Sequence, residues 1–109
     1  MNDKEFERIA HNTIQCIKST LIRKGAEYAR GDRLSNFKRA GKLENSSPEM
    51  ALRGMLTKHI VSIYDMIDDI ERGKQVISPD VWLWNEKIHD SINYLILLRA
   101  LISERTGVK

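Results

Sequence analysis

Apolar residues in this chain recur at three- and four-residue steps almost from end to end, and nowhere over a useful length do they alternate. A helix repeats its apolar face every 3.6 residues and a half-buried strand every two, so this pattern commits the chain to an all-α fold. From about Asp3 to Lys24, Phe6, Ile9, Ala10, Ile14, Ile17, Leu21 and Ile22 mark one amphipathic helix, with Gly25 as its expected end. Ser46-Ser47-Pro48-Glu49 is a strong start for a second. Serine caps free amides there, proline in the first turn loses no hydrogen bond, and glutamate suits the positive helix end. That helix is expected to reach about Arg72 and stop at Gly73. Ser78-Pro79-Asp80 repeats the start signal, and a third helix follows from about Val81 to Glu104, before Thr106-Gly107. The expected architecture is three long helices in an antiparallel bundle. The segment from Ala26 to Gly41, basic and aromatic with a broken apolar pattern, reads as a loop with short helical turns.

At 109 residues the chain is the size of one domain, and 41% hydrophobic with 30% charged residues is the balance of a chain that folds. Residues 1–109 are therefore read as a single helical domain. A net charge of +3 suits an anionic ligand but falls short of what a nucleic-acid coat needs. One cysteine excludes a disulfide framework or a cysteine zinc site within one chain, and Cys16, among apolar neighbours, reads as a core thiol. The charged start Met1-Asn2-Asp3-Lys4-Glu5 is unlike a signal peptide, and no run nears the ~20 apolar residues of a membrane span. A cytoplasmic protein without a membrane partner is the expectation.

The third helix is apolar nearly all round, so Glu86, Asp90 and Asn93 fall in an otherwise leucine-lined stripe with Leu83, Leu97 and Leu101. Charge or amide buried there is costly without a partner. Either a buried hydrogen-bond network fixes helix register, or the stripe carries a site. Lys58 and His59 on the second helix, a main-chain amide, a metal ion or a ligand are the partners on offer. Asp65, Asp68, Asp69, Glu86 and Asp90 are hard oxygen donors of the kind magnesium takes, although Asp68 and Asp69 also fit a solvated acidic face. His59 borders the apolar face and reads as a satisfied core histidine. In the segment after the first helix, Lys24, Arg30, Arg33, Lys38 and Arg39 interleave with Tyr28 and Phe37. Those are cations for phosphate and rings for a base, or core anchors. Asp32 and Asn36 can cap turns. Trp82 and Trp84 cannot both point inward. A lone subunit would leave much of the third helix exposed, so a dimer or tetramer is expected.

Three segments carry a resemblance: Lys24-Gly-Ala-Glu-Tyr-Ala-Arg-Gly-Asp-Arg-Leu-Ser-Asn-Phe37, Lys58-His-Ile-Val-Ser-Ile-Tyr-Asp65 and Glu86-Lys-Ile-His-Asp-Ser-Ile-Asn-Tyr94. With them the chain resembles the MazG-like all-α NTP pyrophosphatases, in particular short phage-encoded, nucleotide-modification-associated members. The resemblance implies a Glu-x-x-Glu pair facing a Glu-x-x-Asp pair around magnesium and a nucleoside triphosphate. Here the first pair becomes Asp65 and Asp68. In the second Asp90 matches, but Lys87 stands three before it and Glu86 four before it. The chain also resembles the compact helical phage proteins that sequester cyclic dinucleotide signals of CBASS anti-phage defence as homo-oligomers.

Three readings follow. In the first, a phage-type homo-oligomer in the host cytoplasm sequesters a nucleotide or cyclic dinucleotide and needs no cofactor. Arg30, Arg33, Lys38 and Lys58 would neutralise phosphate, Tyr28 or Phe37 would stack on a base, and Asn36, Asp90 and Asn93 would complete the site. In the second, Asp65, Asp68, Glu86 and Asp90 hold Mg2+ in a pyrophosphatase. In the third, the chain is a helical protein-interaction module.

Overall fold

The computed structural model describes residues 1–27 and 31–109. Four helices, not three, form among them: α1 Asp3–Glu27, α2 Ser35–Leu43, α3 Pro48–Glu71 and α4 Asp80–Thr106. The chain falls into two compact units, Met1–Arg33 and Leu34–Lys109.

The first unit is α1. It runs through Gly25 instead of ending there. A glycine inside a helix costs about 1 kcal/mol, too little to stop one with this many turns. Asn2 and Glu5 close its start reciprocally, each side chain accepting from the other's backbone N–H at 2.9 Å. Phe6, Ile9, Ile14 and Ile22 are exposed, and so is Cys16, contrary to the expected core thiol. Cys16 lies at the rim of the apolar stripe beside Ile9 rather than at its centre.

In the second unit α3 packs along α4 and α2 packs against α3. Facing pairs at one end and in the middle set the direction: Glu49 meets Arg105, and His59 meets Asp90. The two helices therefore run antiparallel, as expected. The core sits at one end of this hairpin, where Leu34, Phe37, Leu52 and Leu101 are buried together, with Met55, Leu56, Tyr94, Leu97 and Leu98 packed around them.

α3 begins as its sequence signals, with the Ser47 hydroxyl accepting from Met50 N–H at 3.1 Å and Pro48 in the first turn. It ends on Gly73, whose φ of 97° lets Gly73 N–H reach Ile70 O and Lys74 N–H reach Asp69 O, the two bonds of a Schellman motif. α4 starts differently from expectation. Pro79 occupies the cap position, and Asp80 reaches back to accept from Ile77 N–H at 2.9 Å. α2 replaces part of the expected loop, because Leu34 and Phe37 find a core to enter. Its tight return to α3 passes through Asn45 at φ 55°, which asparagine tolerates.

Arg105 grips Glu49 with two hydrogen bonds, Nε to Oε1 at 2.6 Å and Nη2 to Oε2 at 2.8 Å. Chiefly through that hydrogen bonding, the Glu49 carboxyl is lowered from 4.5 to about 2. A carboxyl with a lower folded pKa contributes stability that is complete above its unfolded value and lost as pH falls through the folded one. Glu49→Gln is therefore expected to melt below wild type at pH 6, with the gap closing between pH 4.5 and 2. Melting curves of both proteins across that window check it; a gap independent of pH would assign the effect to packing.

Candidate functional site

α3 and α4 bring His59, Asp90, Asn93 and Tyr94 to the middle of the hairpin. His59 Nδ1 stands 3.9 Å from Asp90 Oδ2, both side chains being partly buried. The His59 and Tyr94 rings lie 5.4 Å apart, tilted by 34°. Asp90 and Tyr94 are one helical turn apart, so both reach the same turn of α3. Asn93 is buried at 6% exposure. Among the described residues, neither His59 Nδ1 nor Asn93 Oδ1 has a hydrogen-bond partner, although both atoms are buried. Each such group costs about 1–3 kcal/mol while it stays unpaired. His59 is thus not the satisfied core histidine its wheel position suggests. Tyr94 enters the sequence reading only as the end of a matched segment and not as a site residue, and its i+4 spacing from Asp90 was the signal available.

The other expected site residues go elsewhere. Tyr28 and Arg30 lie outside the described residues. Arg33 belongs to the first unit, where its side chain lies against Gly25. The Phe37 ring is buried in the core, where a base cannot reach it. Asn36 is exposed on α2. Lys38 forms an ion pair with Glu104. Glu104 is fourteen residues beyond Asp90, or about 21 Å along the helix. Lys58 is exposed on α3, next in sequence to His59.

The expected magnesium donors lie at different heights along the hairpin. Asp90 is level with His59, whereas Asp65 and Asp68 lie about 9 and 14 Å further along α3 at 1.5 Å per residue. Asp65, Asp68 and Glu86 are all exposed, Glu86 contrary to its expected place in the leucine-lined stripe. Among the described residues no three carboxylate, histidine or cysteine side chains are grouped to hold a metal.

Two hollows lie at the ends of the hairpin. One of about 30 Å³, lined by residues that include Met66, Ile70, Leu83 and Trp84, is smaller than any nucleotide. The other, about 270 Å³, lies among Lys38, Pro48, Glu49, Leu101, Glu104 and Arg105. Both of its cations already face carboxylates. Of the two tryptophans, Trp82 is 72% exposed and Trp84 is half-buried, as their adjacency requires. Among the described residues no helix is long and apolar enough to cross a membrane. No protein-family model, curated protein or solved structure matches this chain.

Proposed function

We propose that the chain binds a nucleotide at the α3–α4 seam and sequesters it without cleaving it. The observation that carries this reading is the pair of buried polar atoms that make no hydrogen bond: His59 Nδ1, 3.9 Å from Asp90 Oδ2, and Asn93 Oδ1, three residues further along α4. A ligand with donors and acceptors on one planar edge would satisfy groups that otherwise cost stability. A nucleobase is such a ligand: an asparagine amide can pair with two positions of an adenine edge, and a carboxylate accepts from an exocyclic amine. Lys58 supplies the neighbouring cation for phosphate. Sequestration is favoured over hydrolysis because the four expected magnesium donors are spread along the two helices.

Calorimetry with nucleoside triphosphates and cyclic dinucleotides, with and without magnesium, followed by heating and chromatography of the released material, tests this reading. Intact nucleotide is the expected product. Asn93→Leu should weaken binding about 100-fold, the loss of roughly two hydrogen bonds to a buried group, and should also raise the melting temperature by removing an unpaired carbonyl. Magnesium-dependent release of monophosphate and pyrophosphate would overturn sequestration, and unchanged affinity in Asn93→Leu would move the site elsewhere.

A second reading, a helical interaction module, is favoured by the exposure of Tyr64, Ile67, Trp82, Leu95 and Ile96 on α3 and α4. In it Asn93 and Asp90 set the helix register, and no nucleotide binds.

A further inference from the structure

α4 carries a second apolar stripe that its packing on α3 does not use. The helix meets α3 through the side that holds Asp90, Tyr94, Leu97 and Leu101. Roughly 130° around the helix, Val81, Ile88, Leu95 and Ile102 follow one another at steps of seven residues. They are 48, 37, 51 and 40% exposed. A strict seven-residue repeat of aliphatic side chains is the pattern of a helix that pairs with another helix, because 3.5 residues per turn keeps one seam facing its partner. Scattered exposed apolar residues do not produce it. From Val81 to Ile102 the stripe runs about 32 Å along the helix.

We propose that this stripe pairs with the same stripe of a second copy of the chain, antiparallel about a two-fold axis. Neighbouring helix dipoles attract when they run in opposite directions, which favours the antiparallel pair. Among the residues flanking the stripe on its outer side, Asn85, Ile92 and Arg99, the charged one is Arg99. The antiparallel pair sets Ile88 against the partner's Leu95 and Val81 against the partner's Ile102, and it brings Arg99 nearly level with the partner's Asn85, which is neutral, on the same side of the seam. On the inner side Ser91 is small, and its hydroxyl already donates to Lys87 O at 2.8 Å, so it brings no unpaired polar group to the seam.

Area agrees with a second copy. The stripe with the flanking Ile92 exposes on the order of 350 Å² of apolar surface, the size of the largest patch on a typical monomer, which is often a functional one. Interfaces are about 60% apolar, so the contact would cover roughly 600 Å² on each copy, at the lower end of the span of stable pairs. The pairing is independent of the seam ligand, since it uses the opposite side of α4.

Light scattering on the purified full chain at about 100 µM, a concentration that populates even a micromolar pair, should give twice the 12.6 kDa chain mass. Ile88→Lys and Leu95→Glu should each weaken self-association about 100-fold with helix content unchanged. Mixing the two variants should restore the dimer, because the antiparallel register puts the new charges opposite each other. The axis passes between Ser91 and Ile92, so Ile92→Cys in a Cys16→Ser background should oxidise to a covalent dimer whether or not the charged variants fold. A monomeric wild type, charged variants that associate like wild type, a mixture that stays monomeric, or no covalent dimer would each overturn the proposal.

Discussion

Leu52→Ala is expected to lower the melting temperature by on the order of 15 °C, the value that follows from about 3–4 kcal/mol in a domain of this size. Leu52 is 1% exposed, the most enclosed large side chain among the described residues. It sits on α3 where α2 delivers Leu34 and Phe37 and α4 delivers Leu101. Truncation removes both its transfer free energy and its contacts with α2 and α4. The cavity cannot close easily, because Phe37 is anchored on a helix of only nine residues with Gly41 pressed against the backbone beyond it. Thermal unfolding followed by circular dichroism measures the change. A loss below about 1 kcal/mol would mean that the site collapses and that α2 is not rigidly docked.

Gly41→Ala and Gly54→Ala should move stability in opposite directions, although both glycines lie inside helices. A Cβ on Gly41 would stand 2.8 Å from both C and O of Ser47 and 2.9 Å from the Ser46 carbonyl oxygen. All three are backbone atoms, so the turn between α2 and α3 must shift, and with it the Ser46 N–H to Gly41 O bond of 2.7 Å. The overpacking cost of as much as 3 kcal/mol exceeds the gain of about 1 kcal/mol from better helix propensity, leaving a net loss near 2 kcal/mol. A Cβ on Gly54 would meet nothing within 4 Å, so the propensity gain of ~0.8 kcal/mol stands alone. Chemical denaturation of the two variants reads the signs. A stabilised Gly41→Ala would show that the α2–α3 turn gives way at little cost.

These side chains also explain why some of the fold was legible and some was not. Ser47 and Pro48, and Gly73 with its two reversed bonds, act within a few residues of their own position. Local sequence suffices to read them. Asp80 is equally local, yet its reach back to Ile77 competes with the serine cap that Ser78 suggests, and the pattern alone does not say which wins. α2 is harder to read. Its buried positions Leu34, Phe37 and Gly41 have helical spacing, but the third has no side chain, so the apolar signal stops after two residues. Lys38 shows the same limit on charge. It reads as a free cation for phosphate until Glu104, sixty-six residues away, takes it up.

Helical periodicity, the α3 and α4 boundaries to within a residue or two, and the placing of Asp90 and Asn93 on a stripe of α4 are properties of consecutive residues, and consecutive residues were enough to establish them. Which stripe faces a neighbour and which is left open depends on the register between helices. Packing against chain dozens of residues distant sets that register, so no local pattern encodes it. That register put Asp90 opposite His59 and left Asp65 and Asp68 further along α3. It also turned Val81, Ile88, Leu95 and Ile102 away from the hairpin.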